Sequence, residues 1–284
     1  STLTGPQRPT VGEHTDRTTV HAPLRISFDR ALRRAREGAY APGEYVEQES
    51  FMRASEIRAL AERAGIAPGV SVLDLCCGVA GPGRFISREL GCIYLGLDSS
   101  PTAIDIARER ARGVPCRFEL ARVPPLPPGP FDVVLLLETM LAFADKEALL
   151  RGISGALAVG GRFAFTLEEG LPLTAAERER MPNADTVWPI PLDEIRALLR
   201  RVGLTVRWQD DSSRAHRDMA ERLTDAFAAD ATAIAALIGR QALDELVAAH
   251  RLWSEWLGAG RVRKLAFVAE KLPGGPAVDP HGVV

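Results

Sequence analysis

The stretch Ser71-Val-Leu-Asp-Leu-Cys-Cys-Gly-Val-Ala-Gly-Pro-Gly83 constrains this chain more than any other: an apolar run ends in an acid and breaks into small residues. It reads as a buried first strand that delivers its carboxyl end to a ligand. A second apolar run, 92–98, also ends in an acid, and the interval of about 20 residues between the two acids is the one a nucleoside-binding βαβ unit uses to reach ribose hydroxyls. A dinucleotide is excluded. Its fingerprint is Gly-x-Gly-x-x-Gly, which lets the backbone approach a pyrophosphate, and Gly78, Gly81 and Gly83 have a different spacing.

Further apolar runs predict strands at 116–120, 131–137, 162–167, 204–209 and 261–271. Between them, helical periodicity starts at Gly81-Pro82, fills 146–157 with Gly160-Gly161 as its stop, and fills 192–202. Strands alternating with helices predict an α/β fold with a doubly wound sheet. The expected organisation is a flexible tail at 1–24, an N-terminal helical lid at 25–66 and an α/β core at 67–209. A helical cap at 210–260 follows, then the last core strand at 261–272 and a second tail at 273–284.

A formal charge of −2 gives no general attraction for a phosphate backbone, so nucleic acid is not expected as a partner. The longest apolar runs are interrupted by Asp132, Glu138 or Arg162 before they could span a bilayer, so no membrane partner is expected. The polar start carries no signal-peptide pattern, which makes the expected location cytoplasmic. Four cysteines, with Cys76 and Cys77 adjacent, make neither a disulfide framework nor a zinc pattern and read as packing residues. The expected partner is a small molecule, and a homo-oligomer stays open.

In order, these residues resemble the class I S-adenosylmethionine-dependent methyltransferases. The family's first motif, Asp/Glu-x-Gly-x-Gly-x-Gly, corresponds to Asp74-Leu-Cys76-Cys-Gly78-Val-Ala80, with small residues at two glycine positions and Gly81 and Gly83 following to keep the loop open to a ligand. Gly96-Leu-Asp98-Ser99-Ser100, Leu126-Pro127, Phe131-Asp132-Val133 and Gly160-Gly161-Arg162-Phe163 continue the resemblance, which covers roughly residues 45 to 210 and the last strand. It implies a Rossmann-like, seven-stranded sheet and S-adenosylmethionine as cofactor. By the family's pattern Asp98 holds the ribose hydroxyls with Ser99 beside it, and Asp74 and the Cys76–Gly78 backbone hold the methionine end. Glu138 borders the sulfonium, Gln48 reaches in from the lid, and the Ala121 backbone serves the adenine, where the family often has an acid. Read without the resemblance, Asp74 and Asp98 could each cap a helix start.

Ligands in this fold sit at the carboxyl ends of the strands. Glu168 and Glu169 directly follow the fifth strand and Trp208 ends the sixth, so carboxylate and indole are expected to face one pocket, a pairing that suits a carbocation. With the lid from Tyr40 to Phe51 and the helical insertion before the last strand, the chain is similar to the prenyl-diphosphate C-methyltransferases of the geranyl-diphosphate C6 type. That similarity implies methylation of an alkene carbon, Trp208 as cation stabiliser, Glu168 as the base with Glu169 as its alternative, and Tyr45, Phe51, Trp188 and His216 around the acceptor. It also implies Mg²⁺ with the diphosphate, although no Asp-Asp-x-x-Asp run assigns ligands to it. Two other readings stay open: an N- or O-methyltransferase of a small natural product, and a cofactor-binding cyclase or binding protein that transfers no methyl group. At residue level, solvated loop acids at Glu168 and Glu169, a core Trp208 and a plain helical His216 are the competing readings.

Overall fold

The structure is a computed structural model that describes residues 30–274, so the tail expected at 1–24 and most of that at 273–284 lie outside the described residues. In chain order the elements are α1 (Arg30–Ala39), α2 (Ala54–Arg63), β1 (Ser71–Leu75), α3 (Gly81–Leu90), β2 (Ile93–Asp98), α4 (Pro101–Arg110), β3 (Cys116–Leu120) and β4 (Phe131–Leu136). There follow α5 (Lys146–Ala156), β5 (Leu157–Glu169), α6 (Ala175–Arg180), α7 (Leu192–Arg201), β6 (Leu204–Asp211), α8 (Ser213–Ala229), α9 (Ala231–Ile238), α10 (Arg240–Gly258) and β7 (Arg263–Lys271).

The seven strands form one sheet in the order β3-β2-β1-β4-β5-β7-β6, with β7 antiparallel to both its neighbours. This is the Rossmann-like methyltransferase arrangement. The apolar runs of β1 and β4 occupy the middle, where strands are covered on both faces. Leu73, Leu75, Val134, Leu136, Phe163 and Phe165 pack on one face against α5 and α7. Val72, Tyr94, Val133 and Leu135 pack on the other against α2, α3 and α4. The chain leaves β1 towards β2 on one side and lies against β4 on the other, so a crevice opens above the carboxyl ends of β1 and β4.

A separate small core sits over that crevice. Leu32 and Ala35 of α1 pack against Met219, Leu223 and Phe227 of α8, Ile234 of α9 and Leu243 of α10. Lid and cap are thus joined by burial to each other, well beyond what the sheet alone would provide. Among the described residues, no helix is long and apolar enough to cross a membrane.

Two expectations about the strands are corrected. β5 begins at Leu157, immediately after α5, and Gly160-Gly161 lie inside it instead of ending the helix. Leu157 pairs with Phe131 and Arg162 with Val133, so the register shifts between them. Gly161 permits this, because a Cβ there would stand 2.8 Å from the Ala158 carbonyl oxygen. The sixth strand runs on to Asp211 and carries a bulge between Val206 and Trp208.

Candidate active site

A groove follows the carboxyl end of β1. It is lined by Asp74, the 76–82 loop, Glu47 to Ser50 of the lid, and Leu137 to Thr139 after β4. The loop turns through left-handed backbone at Cys76 (φ 57°), Gly78 (φ 56°) and Ala80 (φ 56°). Gly78 has open space where a Cβ would stand, so a ligand can lie against its backbone. Gly81 and Gly83 do something else than expected. A side chain at Gly81 would strike the Val46 and Glu47 backbone and one at Gly83 the Tyr94 ring, so these glycines admit the lid and the sheet, not the ligand.

Asp98 organises the loop. Its Oδ2 accepts from the Gly78 N–H at 2.9 Å and its Oδ1 from the Ser100 N–H at 2.8 Å, which leaves lone pairs for a diol. Ser99 beside it is exposed, and the Ala121 N–H is tied to the Asp98 carbonyl at 2.9 Å. Asp74 is buried beneath the groove and accepts from the Tyr94 hydroxyl at 2.5 Å. Burial pushes its carboxyl up to about 7 against that hydrogen bond, and the Asp98 charge adds to the rise. Gln48 is spent on the lid itself: its amide donates to the Glu44 and Met52 carbonyls and accepts from the Val46 N–H. Burial raises the Cys76 thiol to about 12, so it packs rather than reacts.

A second cavity adjoins the groove and shares Glu49, Ser50 and Glu138 with it. Its remaining walls are Phe51, Leu141, Glu168, Ala249, His250, Trp253, Leu257 and Lys264, drawn from lid, sheet and cap. At its floor Lys264 Nζ stands between Glu168 and Glu138, pairing with the former and lying 2.8 Å from Glu138 Oε1. Burial works against the charged forms of both Lys264 and Glu138, and their mutual attraction outweighs it, raising the lysine and lowering the acid. Glu168 Oε2 is buried and has no hydrogen-bond partner. Glu138 has φ 59°, a strained value for a residue with a side chain, and its N–H is fixed by Thr166 Oγ1 at 2.6 Å. His250 is neutral at ordinary pH, since burial lowers it to about 4 despite its bond to the Leu246 carbonyl.

The strand pleat separates the two acids that end β5. Glu168 turns to the cavity, whereas Glu169 turns to the opposite side, accepting from the Leu192 N–H at 3.2 Å and from Arg263 at 2.8 Å. Trp208 is not in the cavity, which corrects its expected place there. The bulge before it puts Val206 and Trp208 on opposite faces, and the indole packs against the α2 side under the Arg63 guanidinium. Tyr45 lies in the lid–cap core, and Trp188 lies in a surface recess stacked with Arg178, its indole N–H held by the Asp185 carbonyl. Neither meets the cavity. Phe51 does, edge-on to His250. His216 is buried behind the floor, its Nε2 3.4 Å from Glu56. Sequence reasoning missed Lys264, Leu141, His250 and Trp253. The lysine left a signal: a charge opening an apolar last strand, which, if antiparallel, brings its start beside the end of β5.

The cofactor implied by the motif fits these residues, since a loop open at Gly78, a diol acceptor at Asp98 and carboxylates along the groove suit a nucleoside joined to a cationic sulfonium. A methyltransferase domain family matches residues 72–161. The chain is 29% identical to methyltransferase GfsG of Streptomyces halstedii over 59% of its own length and 64% of that protein's. It is 34% identical to an uncharacterized methyltransferase of Synechocystis, sll0829, over 51% of its own length and 71% of that protein's. Against plant phosphoethanolamine N-methyltransferases it spans about a fifth of their length. Among solved structures, the cyclopropane synthase MmaA2 of Mycobacterium tuberculosis superposes with a TM-score of 0.75 at 13% identity, covering 92% of this chain and 100% of that one. The [4+2]-cyclase SpnF does so at 0.71 and 20%, covering 90% and 96%. A geranyl diphosphate C-methyltransferase of Streptomyces coelicolor does so at 0.62 and 17%, covering 77% and 80%. With the cofactor groove built on the first-motif loop and relatives of this kind on both counts, the chain belongs to the class I S-adenosylmethionine-dependent methyltransferases.

Proposed function

We propose that the chain methylates a neutral, largely apolar small molecule at a carbon or hydroxyl oxygen, with Glu168 taking the proton that the acceptor loses. The observation that carries this reading is the unpartnered Glu168 Oε2 in a cavity that shares Glu49, Ser50 and Glu138 with the cofactor groove. S-adenosylmethionine supplies an electrophilic methyl group on sulfonium. The chain's own part is positional: Phe51, Leu141, Trp253 and Leu257 hold the acceptor and exclude water, and Glu138 sits at the boundary where the two ligands meet. Lys264 holds Glu168 by one oxygen and so aims the other.

A prenyl diphosphate acceptor is the second reading. Its support is the same buried carboxylate, which suits removal of a proton from a methylated cation, with Trp253 and Phe51 as the aromatic lining in place of Trp208. A diphosphate, however, needs cations, and Lys264, the sole cationic side chain lining the cavity among the described residues, is already engaged by two carboxylates. Among the described residues no cluster of three or more His, Cys, Asp or Glu could hold a metal ion, so these residues do not fit the Mg²⁺ that this reading implies. The test is incubation with S-adenosylmethionine and parallel acceptors: geraniol, simple phenols and macrolactones on one side, geranyl diphosphate with Mg²⁺ on the other. Methylated product from the neutral set is expected; turnover confined to geranyl diphosphate reverses the order of the two readings.

A further inference from the structure

Behind the acceptor cavity lies a second chamber of about 80 Å³, lined by Glu56, Thr166, Asp210, Ser212, His216 and Lys264 among others. Lys264 is a wall of both spaces. On its far side the chamber shares Glu56, Asp210 and Ser212 with an open surface recess. Cavity, chamber and recess therefore adjoin in turn, with Lys264 between the first two and Glu56, Asp210 and Ser212 between the last two. The volume exceeds that of a single ordered water several times over, and the walls offer more polar partners than the two to four a water needs.

His216 lines the middle space. It is 1% exposed, its Nδ1 has no partner, and its Nε2 faces Glu56 Oε1 at 3.4 Å. Glu56 is itself held by the Arg53 Nε at 3.1 Å and the Arg53 N–H at 2.8 Å, and the imidazole and Arg53 together keep its carboxyl low, at about 2, although burial alone would raise it. The groups facing the imidazole are thus Glu56 from α2, Lys264 from β7, Asp210 and Ser212 from the end of β6, and the Glu138 charge from beyond β4. A buried histidine with one nitrogen on a carboxylate and the other free has the form of a carrier that accepts a proton on one side and releases it on the other. A plain core histidine would have both nitrogens satisfied.

Resting on the reading of Glu168 as proton acceptor, we infer that this chamber is the proton outlet of the acceptor site, with His216 as its carrier. Methylation moves one proton from the acceptor to Glu168 Oε2 and neutralises that carboxylate. Lys264, which contacts Glu168 and also lines the chamber, gives one proton to water there and takes one from Glu168, restoring the base. That water passes the proton to His216 Nδ1, and the Nε2 side, oriented by the Glu56 carboxylate, releases its proton to water beside Asp210 and Ser212, where the chamber meets the surface recess. No oxidant or co-reactant is needed.

The test uses the full chain labelled with ¹⁵N-histidine, the His216 signal being assigned by its loss in His216→Gln. An outlet requires that the imidazole exchange protons with bulk water quickly although the residue is 1% exposed. His250, which lines the acceptor cavity, supplies the comparison. A His216 signal that exchanges much more slowly than that of His250 overturns the inference. Turnover gives a second arm, on whichever neutral acceptor the wild type methylates. His216→Gln should lower kcat about 10- to 100-fold, with KM unchanged and with rescue by added imidazole. An unchanged kcat overturns the outlet while leaving the assigned reaction intact, and a wild type inert on every acceptor removes the reaction while the NMR arm still decides the outlet.

Discussion

The groove and the cavity differ in how the chain builds them. The groove comes from neighbours in sequence: 74–82 supplies the loop, and Asp98, one strand further on, fixes it through Gly78. The cavity is assembled from distant parts, with Glu168 paired to Lys264 across 96 residues, Phe51 from the lid, and Ala249, His250, Trp253 and Leu257 from α10. The donor site is therefore a local motif, whereas the acceptor site is a product of tertiary packing, and changes to each should fail in different ways.

The largest effect is expected on the acceptor side. Lys264→Met leaves two buried carboxylates without their shared cation and should cost about 3–5 kcal/mol in urea unfolding. The double variant with Glu168→Gln should recover part of that loss, and a Lys264→Met protein as stable as the wild type would mean that the triad is not closed. Next, Glu168→Gln should lower kcat by about 10²- to 10⁴-fold without changing cofactor affinity by calorimetry. Asp98→Ala should do the converse, weakening S-adenosylmethionine binding by about 1.5–3 kcal/mol, roughly 10- to 150-fold in Kd. If either variant damages both functions equally, the separation between the halves is lost.

A smaller effect should follow pH. Asp74 has its carboxyl raised from 3.8 to about 7 in the folded chain, so the folded state keeps a proton that the unfolded chain has released. This group's contribution to stability is therefore most favourable below 3.8 and is lost progressively as pH rises through about 7. A cationic cofactor in the groove favours the carboxylate, so its affinity should rise by up to about tenfold between pH 6 and 8 with release of a proton, measurable by calorimetry in buffers of different ionisation heat. Affinity flat across that range would detach Asp74 from the ligand. Smallest of all, Trp208→Leu should leave kcat unchanged. A loss beyond about tenfold would bring the indole back to the acceptor, since cation–π attraction is worth up to about 2 kcal/mol.

The same contrast governs what could be read from the sequence. Asp74, Gly78 and Asp98 were legible because a strand end, a small-residue loop and a fixed interval are local facts. Glu168 and Glu169 were legible as a pair, but their opposite directions follow from the pleat of β5 and its pairing with β7. Trp208 was misplaced by a single bulge, which changes the face a side chain occupies and leaves no mark in composition. Lys264 and the α10 residues needed the antiparallel direction of β7 and the docking of cap on lid, both settled by packing far from the residues concerned.

The position of the cap between β6 and β7 carries one more consequence. Asp211 and Leu265 are cross-strand partners, so the three helices leave and re-enter the sheet at adjacent points, as a hairpin loop would. Such a segment can be lengthened, shortened or exchanged without altering strand order, provided the face that packs on α1 is kept, because the lid it supports also walls the donor groove. Grafting Ser213–Gly258 equivalents from other members together with their lids is then a direct route to new acceptor selectivity, with the sheet and the 74–82 loop inherited whole.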